Sequence, residues 1–402
     1  MENYTFLIQL VLILFSARIM GEVATYFKAP SVMGELVAGI LIGPSVFGLI
    51  ETTPSIHLLA QMGIIFLLFE VGAETNMGRL TSSGAKSLIV ATGGVVLPFA
   101  AGFCISLYTF HLSLLASLFI GSALTATSIG ITLRVLRDLK KQNSHEAHII
   151  LGAAVLDDII GIILLAMLYE FSKSGIINLW NAGKILISVV LFCLLSPLIA
   201  KYISLTIKKW EEKNTIPGLL PTTIVSLILL LSWVAHKLGA PTLLGGFAAG
   251  LALSRQFVFP FTSFSSRGQE FNHQVEKQMK PIIHLFTPVF FVSIGLSLNL
   301  KSINWGSSFI WTLTSSLFIA ALFGKLLSGF LLKKESLSTK LVIGTAMIPR
   351  GEVGLIFANI GLTSGILKNE VYASIILVIA LTTLLAPFAL RYIYRQPSSR
   401  RA

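Results

Sequence analysis

Two adjacent aspartates, Asp157 and Asp158, lie in the stretch GAAVLDDIIGIILLAML, which is otherwise wholly apolar. The chain has only three aspartates, the third being Asp138. An ionisable residue at mid-membrane depth costs at least about 2.5 kcal/mol on insertion scales, so it marks a functional site by default. Lys325, in IAALFGKLLSGFLL, is the natural counter-ion, because pairing lowers the desolvation penalty of both members. Successive residues of a helix point about 100° apart, so the two acids cannot share one role. Arg350 and Glu352 flank Gly351 in GTAMIPRGEVGLIF, where Pro349 removes a backbone donor and breaks the helical ladder. SALTATSIGIT, residues 122–132, clusters Thr125, Thr127, Ser128 and Gly130 and is also a poor continuous helix. Two such interruptions bring half-helix ends and loose carbonyls toward a carboxylate. A carboxylate there holds a small cation or a proton but not both, and that competition is sufficient for exchange.

The elements that position these residues are set by composition. The chain of 402 residues is 54% apolar and 12% charged, with a mean hydropathy of +0.83. Soluble domains carry about 25% charged residues. Thirteen apolar segments follow one another, at about 5–27, 30–48, 53–72, 86–109, 113–137, 144–169, 182–206, 216–238, 240–256, 280–299, 305–332, 337–366 and 369–395. Most are near the 20 residues that cross a bilayer as a helix. The class is therefore an all-α polytopic membrane protein with thirteen transmembrane helices. With the N-terminus outside, 21 of the 30 Lys and Arg fall on one set of segment ends and five on the other. The positive-inside rule then gives N-out, C-in, and assigns the net charge of +12 to orientation rather than to nucleic acid. Segments five and twelve, which carry the two interruptions, are seven apart, and an odd offset reverses direction as an inverted repeat requires.

Other features read more plainly. Glu70 and Glu74, in FLLFEVGAETN, lie near the inner end of segment three, where lining a mouth and taking part in binding are both open. Gly39/Gly43 and Gly246/Gly250 have the spacing of close helix packing. Cys104 and Cys193 lie inside apolar runs and read as small core residues. Arg18 falls within segment one without an evident partner, and the loop 256–279 reads as a surface helix. No cleavable signal, catalytic triad, phosphate-cradling loop or metal-ligand spacing is evident, so an enzyme is not indicated. A channel would call for a filter run of the TVGYG type, which the sequence lacks. An organic-anion symporter would sit poorly with adjacent acids.

GELVAGILIGPSVFG, LLFEVGAETN, TATSIGIT, LDDIIGIILLAMLY, PVFFVSIGLSL, GKLLSG and MIPRGEVGLI together resemble the second monovalent cation:proton antiporter family, and within it sodium/proton antiporters of the NapA and NhaA type. The resemblance implies an NhaA-like fold, with inverted repeats and two crossing broken helices, in a homodimer. It implies dimerisation helices one to three over 1–72 and eight to ten over 216–299. Core helices four to six would span 86–169, linker helix seven 182–206, and core helices eleven to thirteen 305–395. Carried over by motif, Asp158 matches the carboxylate that takes Na⁺ and the proton, and Asp157 matches its partner, paired to Lys325. Thr127 with Ser128 and Thr125 matches the first break, which lends oxygens to the ion, and Arg350 and Glu352 match the second. Relatives without the lysine tend to be electroneutral, so Lys325 implies electrogenic exchange of two protons per sodium.

The expectation is a sodium (lithium)/proton antiporter that exports Na⁺ on the proton gradient by alternating access. Potassium/proton exchange and electroneutral sodium/proton exchange are the alternatives. No cofactor, nucleic acid or nucleotide-binding domain in this chain is expected. The expected partners are a second copy and the lipid bilayer, in a bacterial inner (plasma) membrane crossed many times.

Overall fold

The computed structural model describes residues 2–27, 29–75, 82–174, 179–211, 218–254 and 266–395. Fifteen α-helices fill them: α1 Glu2–Tyr26, α2 Ser31–Ile42, α3 Pro54–Glu74, α4 Gly84–Cys104, α5 Leu114–Ala123, α6 Ile129–Asp138, α7 His145–Ser174, α8 Leu179–Glu211, α9 Leu219–Lys237, α10 Leu243–Leu253, α11 Ser266–Leu296, α12 Ser308–Phe330, α13 Leu337–Ala346, α14 Glu352–Thr363 and α15 Asn369–Arg395. No strand occurs among the described residues. Nine helices there are long and apolar enough to cross a membrane. The segments expected at 30–48 and 240–256 hold the shorter α2 and α10. Those at 113–137 and 337–366 are each split in two, as α5 with α6 and α13 with α14. Of the loop expected to hold a surface helix, residues 266–279 are helical and continue into the next segment as α11. The remainder, 255–265, lies outside the described residues.

By packing, the chain divides into two units. The first comprises Met1–Thr52, Ser83–Ala182 and Phe291–Ala402. Its core joins α5, α12, α14 and α15 through Phe119, Ile120, Leu313, Leu317, Phe357 and Ile375. At one end of this unit Asp138, the last residue of α6, caps α2. Its Oδ2 accepts the Ser31 N–H at 3.2 Å and the Ser31 hydroxyl at 3.0 Å. The start of α2 has no capping side chain of its own, because Pro30 stands there. Arg134, one turn before Asp138, lies 3.5 Å from the buried Glu35 of α2. Arg18 of α1 is within electrostatic range of the same carboxylate.

The loop between α12 and α13 is fixed by Glu335. Its Oε1 lies 2.7 Å from Lys86 Nζ of α4 and 3.2 Å from His145 Nε2 of α7. The hydrogen bond from Lys86, aided by that from His145, holds the Glu335 carboxyl below its usual 4.5.

The second unit comprises Thr53–Ser82 and Gly183–Phe290. It closes α3 against α10 at backbone distance, and its core continues through Ile224, Leu227, Leu231 and Met279. A Cβ on Gly250 would stand 2.1 Å from the Phe69 carbonyl, and one on Gly246 2.2 Å from that of Ile65. The spacing of those glycines is thus a packing device. Outward-facing apolar side chains such as Ile187, Leu191 and Leu194 of α8 suit a lipid surround. Cys193 is half-buried on that helix. Cys104 at the end of α4 is exposed, not a core residue as its apolar neighbours suggested.

Two outcomes follow. Gly250→Val forces α10 off α3 and lowers the unfolding temperature of the detergent-purified protein, by overpacking worth about 1–3 kcal/mol. An unchanged melt would refute the close approach. A carboxyl held low stabilises the fold above its free value, and that contribution fades as pH falls through the lower folded value. Glu335→Gln therefore costs stability at neutral pH and flattens the loss on acidification below about pH 4.5. Parallel pH–melting curves of the two proteins check this.

Candidate ion-binding site

Both interruptions are built by residues that give the backbone something other than a helix to bond. In the first, Thr125 turns its hydroxyl back onto the Ser122 carbonyl at 2.8 Å, finishing α5. The chain then runs through Ala126 and Thr127, with Ser128 extended, before α6 begins. In the second, α13 stops at Ala346 and α14 restarts at Glu352, with Pro349 between.

The two breaks are stitched to each other. The Ser128 N–H donates to the Pro349 carbonyl at 2.8 Å. The Thr132 hydroxyl donates to the Ala346 carbonyl at 2.6 Å, and that of Thr127 to Met347 at 3.4 Å. Gly351 is needed here, since a Cβ would come within 2.9 Å of the Ser128 side chain.

Against this crossing lies α7, an unbroken helix of 30 residues. Asp157 is 1% exposed and Asp158 4%. Asp157 spends its two oxygens separately: Oδ1 lies 3.0 Å from Lys325 Nζ, and Oδ2 accepts the Thr127 N–H at 2.8 Å. Lys325 is wholly buried on α12, with room for its ammonium beside Gly94 of α4. Asp158 is also within electrostatic range of Lys325. Arg350 is wholly buried too, and donates to the carbonyls of Ala126 at 3.5 Å and Ala321 at 3.2 Å. Its charge therefore rests on the loose end of the first break and on the helix that carries Lys325.

The structure thus gathers Asp157, Thr127, Ser128, Lys325 and Arg350, with Asp158 adjacent along α7. Thr125 serves the end of α5. Glu352 opens α14 and Glu74 ends α3, but their side chains lie outside the described residues. Glu70 belongs to the second packing unit, where it lines a water-sized cavity with Glu276, Leu253, Met279 and Ile283. Two residues unmarked by the sequence also hold the crossing. Thr132 bonds Ala346, and Thr383 of α15 donates to the Arg350 carbonyl at 2.7 Å. Thr132 stood in the stretch that announced the first break. Thr383 had no sequence signal.

The family described as "Sodium/hydrogen exchanger, transmembrane" matches residues 11–396. The chain belongs to this family. It is 34% identical to the high-affinity Na⁺/H⁺ antiporter NhaS3 of Synechocystis sp., over 98% of this chain and 91% of that protein. It is also 34% identical to the Na⁺/H⁺–K⁺ antiporter GerN of Bacillus cereus, over 98% and 97%. Among solved structures, the sodium proton antiporter MjNhaP1 from Methanocaldococcus jannaschii superposes with a TM-score of 0.74. That match covers 99% of this chain and 100% of the other at 17% identity, and so establishes a shared fold. Members of an exchanger family are multi-pass membrane transporters, not enzymes, and the paired charges at the crossing are to be read in that light.

Removing one partner of a buried ion pair strands the other, at a cost of about 3–5 kcal/mol. Lys325→Met and Asp157→Asn should each lower stability toward that scale. The double replacement Asp157→Asn with Lys325→Met should recover much of it. Additive losses in a thermal-unfolding cycle would show that the two side chains do not act as a pair.

Proposed function

We propose that this protein exports Na⁺, and Li⁺ with it, in exchange for protons that re-enter down their gradient. The observation that carries this reading is the sealed Asp157–Lys325 pair beside Asp158, at the point where two helix interruptions meet. With the site open inward, Na⁺ binds at Asp158 and displaces its proton, taking oxygens from Thr127 and Ser128. The Asp157–Lys325 pair rearranges as the ion arrives, so that Lys325 contributes to the charge moved per cycle. Exchange is then electrogenic, with two protons for each sodium. Arg350 and Glu352 hold the second break as the site changes sides.

The same reading supplies the architecture. The nine long helices, α2, α10 and the two broken pairs make thirteen crossings, N-out and C-in, arranged as NhaA-like inverted repeats. Residues 86–169 and 305–395 form the moving core. Residues 1–72 and 216–299 form the dimerisation scaffold of a homodimer in a bacterial plasma membrane, with 182–206 as the linker helix. This division is one of motion, distinct from the packing units described above. Alternating access is then movement of the core around a site it carries.

A second reading, K⁺/H⁺ exchange, is favoured by the 34% identity to GerN, whose name includes potassium.

Everted vesicles with a trapped pH dye separate these readings. Na⁺ or Li⁺ should dequench the dye in the wild type and leave Asp158→Asn silent. Ordinary exchange by that variant would refute the site, and a response to K⁺ alone would favour the second reading. An imposed membrane potential should change the rate of electrogenic exchange and leave electroneutral exchange unaltered.

A further inference from the structure

A threonine within a helix ordinarily turns its hydroxyl onto the carbonyl three or four residues back. Thr382 of α15 does this, donating to the carbonyls of Val378 at 2.7 Å and Ile379 at 3.1 Å. Its neighbour Thr383 instead reaches out of the helix to the Arg350 carbonyl in the second break, at 2.7 Å. Both threonines are buried, at 0% and 2% exposure, so lipid contact does not account for the difference.

The contact has a path to the ion-binding residues. Fixing the Arg350 carbonyl fixes the peptide from which the Arg350 side chain departs. The guanidinium spans Ala126 O and Ala321 O. Ala126 precedes Thr127, whose N–H holds Asp157. Asp157 holds Lys325, and Lys325 lies one helical turn beyond Ala321 on α12. The circuit therefore closes on itself through Arg350, the first break, α7 and α12. Thr383 ties that circuit to α15, a helix that supplies none of the candidate ion-binding residues.

We propose that Thr383 is a positioning residue for ion binding. Through the Arg350 carbonyl, it sets the register of the two breaks and hence the placement of the oxygens offered to the cation. The inference rests on the transport reading above and adds a residue to its site. In binding terms, a lost internal hydrogen bond lets the Arg350 peptide rotate. Bound ion then has a less well-formed set of oxygens, while the apolar packing of α15 is unchanged.

The test uses the full-length protein in proteoliposomes, with apparent KM and kcat measured for Na⁺, Li⁺ and K⁺ alongside thermal unfolding. Thr383→Val keeps the shape and removes the hydroxyl. It should raise the apparent KM by roughly two- to tenfold, the scale of one net hydrogen bond. Thr383→Ser should restore the wild-type value, and Thr382→Val should leave it unchanged. Thr383→Val with lowered thermal stability but wild-type KM would overturn the proposal and leave a merely structural contact. So would Thr383→Ser as impaired as Thr383→Val. If Thr383→Val does not accumulate in the membrane, Thr383→Ala and Thr383→Cys are judged by the same KM criterion. A wild-type protein that exchanges none of the three cations would defeat the transport reading itself, whatever Thr383 does.

Discussion

Everything at the centre of this molecule answers to one constraint, the expense of an ion in a place without water. Asp157 and Lys325 meet at 3.0 Å with both side chains fully buried. Attraction between them repays the desolvation of two charges only when the geometry is good and the remaining polar atoms are satisfied. The second oxygen of Asp157 is therefore as important as the first, and it takes a backbone N–H from the first helix interruption. The carboxylate thereby fastens three elements at one point: α7, α12 and the peptide between α5 and α6.

The interruptions raise the same difficulty for the backbone. A broken helix in an apolar surround exposes peptide groups that nothing nearby will hydrate. Here each break uses the other. Pro349 cannot donate, but its carbonyl accepts from Ser128 N–H, and Ala346 is covered by the hydroxyl of Thr132. Arg350 completes the arrangement by placing a guanidinium where carbonyls converge. The crossing is thus a small polar interior within an oily one, its backbone groups bonded largely to one another.

How much of this could be read from the chain depended on contrast. Charges in apolar runs stand out, which is why Asp157, Asp158, Lys325 and Arg350 were conspicuous before any coordinates. Proline and a cluster of threonines marked the two breaks, and the helices do stop there. Which of the two acids pairs with Lys325 was not legible from spacing, since adjacent helix positions differ only in direction, and it came from the family likeness. Thr383 was invisible because a threonine in an apolar helix has a default partner in its own backbone, and only packing against Arg350 draws it elsewhere. Arg18 looked isolated because Glu35, the carboxylate within its electrostatic range, belongs to another helix. The continuation of residues 266–279 into α11 was not legible either, since amphipathy marks a polar face but not whether the helix bearing it ends before the next apolar run.

Asp157 and Lys325 are 168 residues apart in the chain. At about 5–20 residues per second, the ribosome makes the aspartate roughly ten to thirty seconds before the lysine. Until α12 has been made, Asp157 has neither this ammonium nor the fold that shuts it away from water. A contact that repays its desolvation only when both members are in place is therefore among the last to be completed, long after its first half is synthesised.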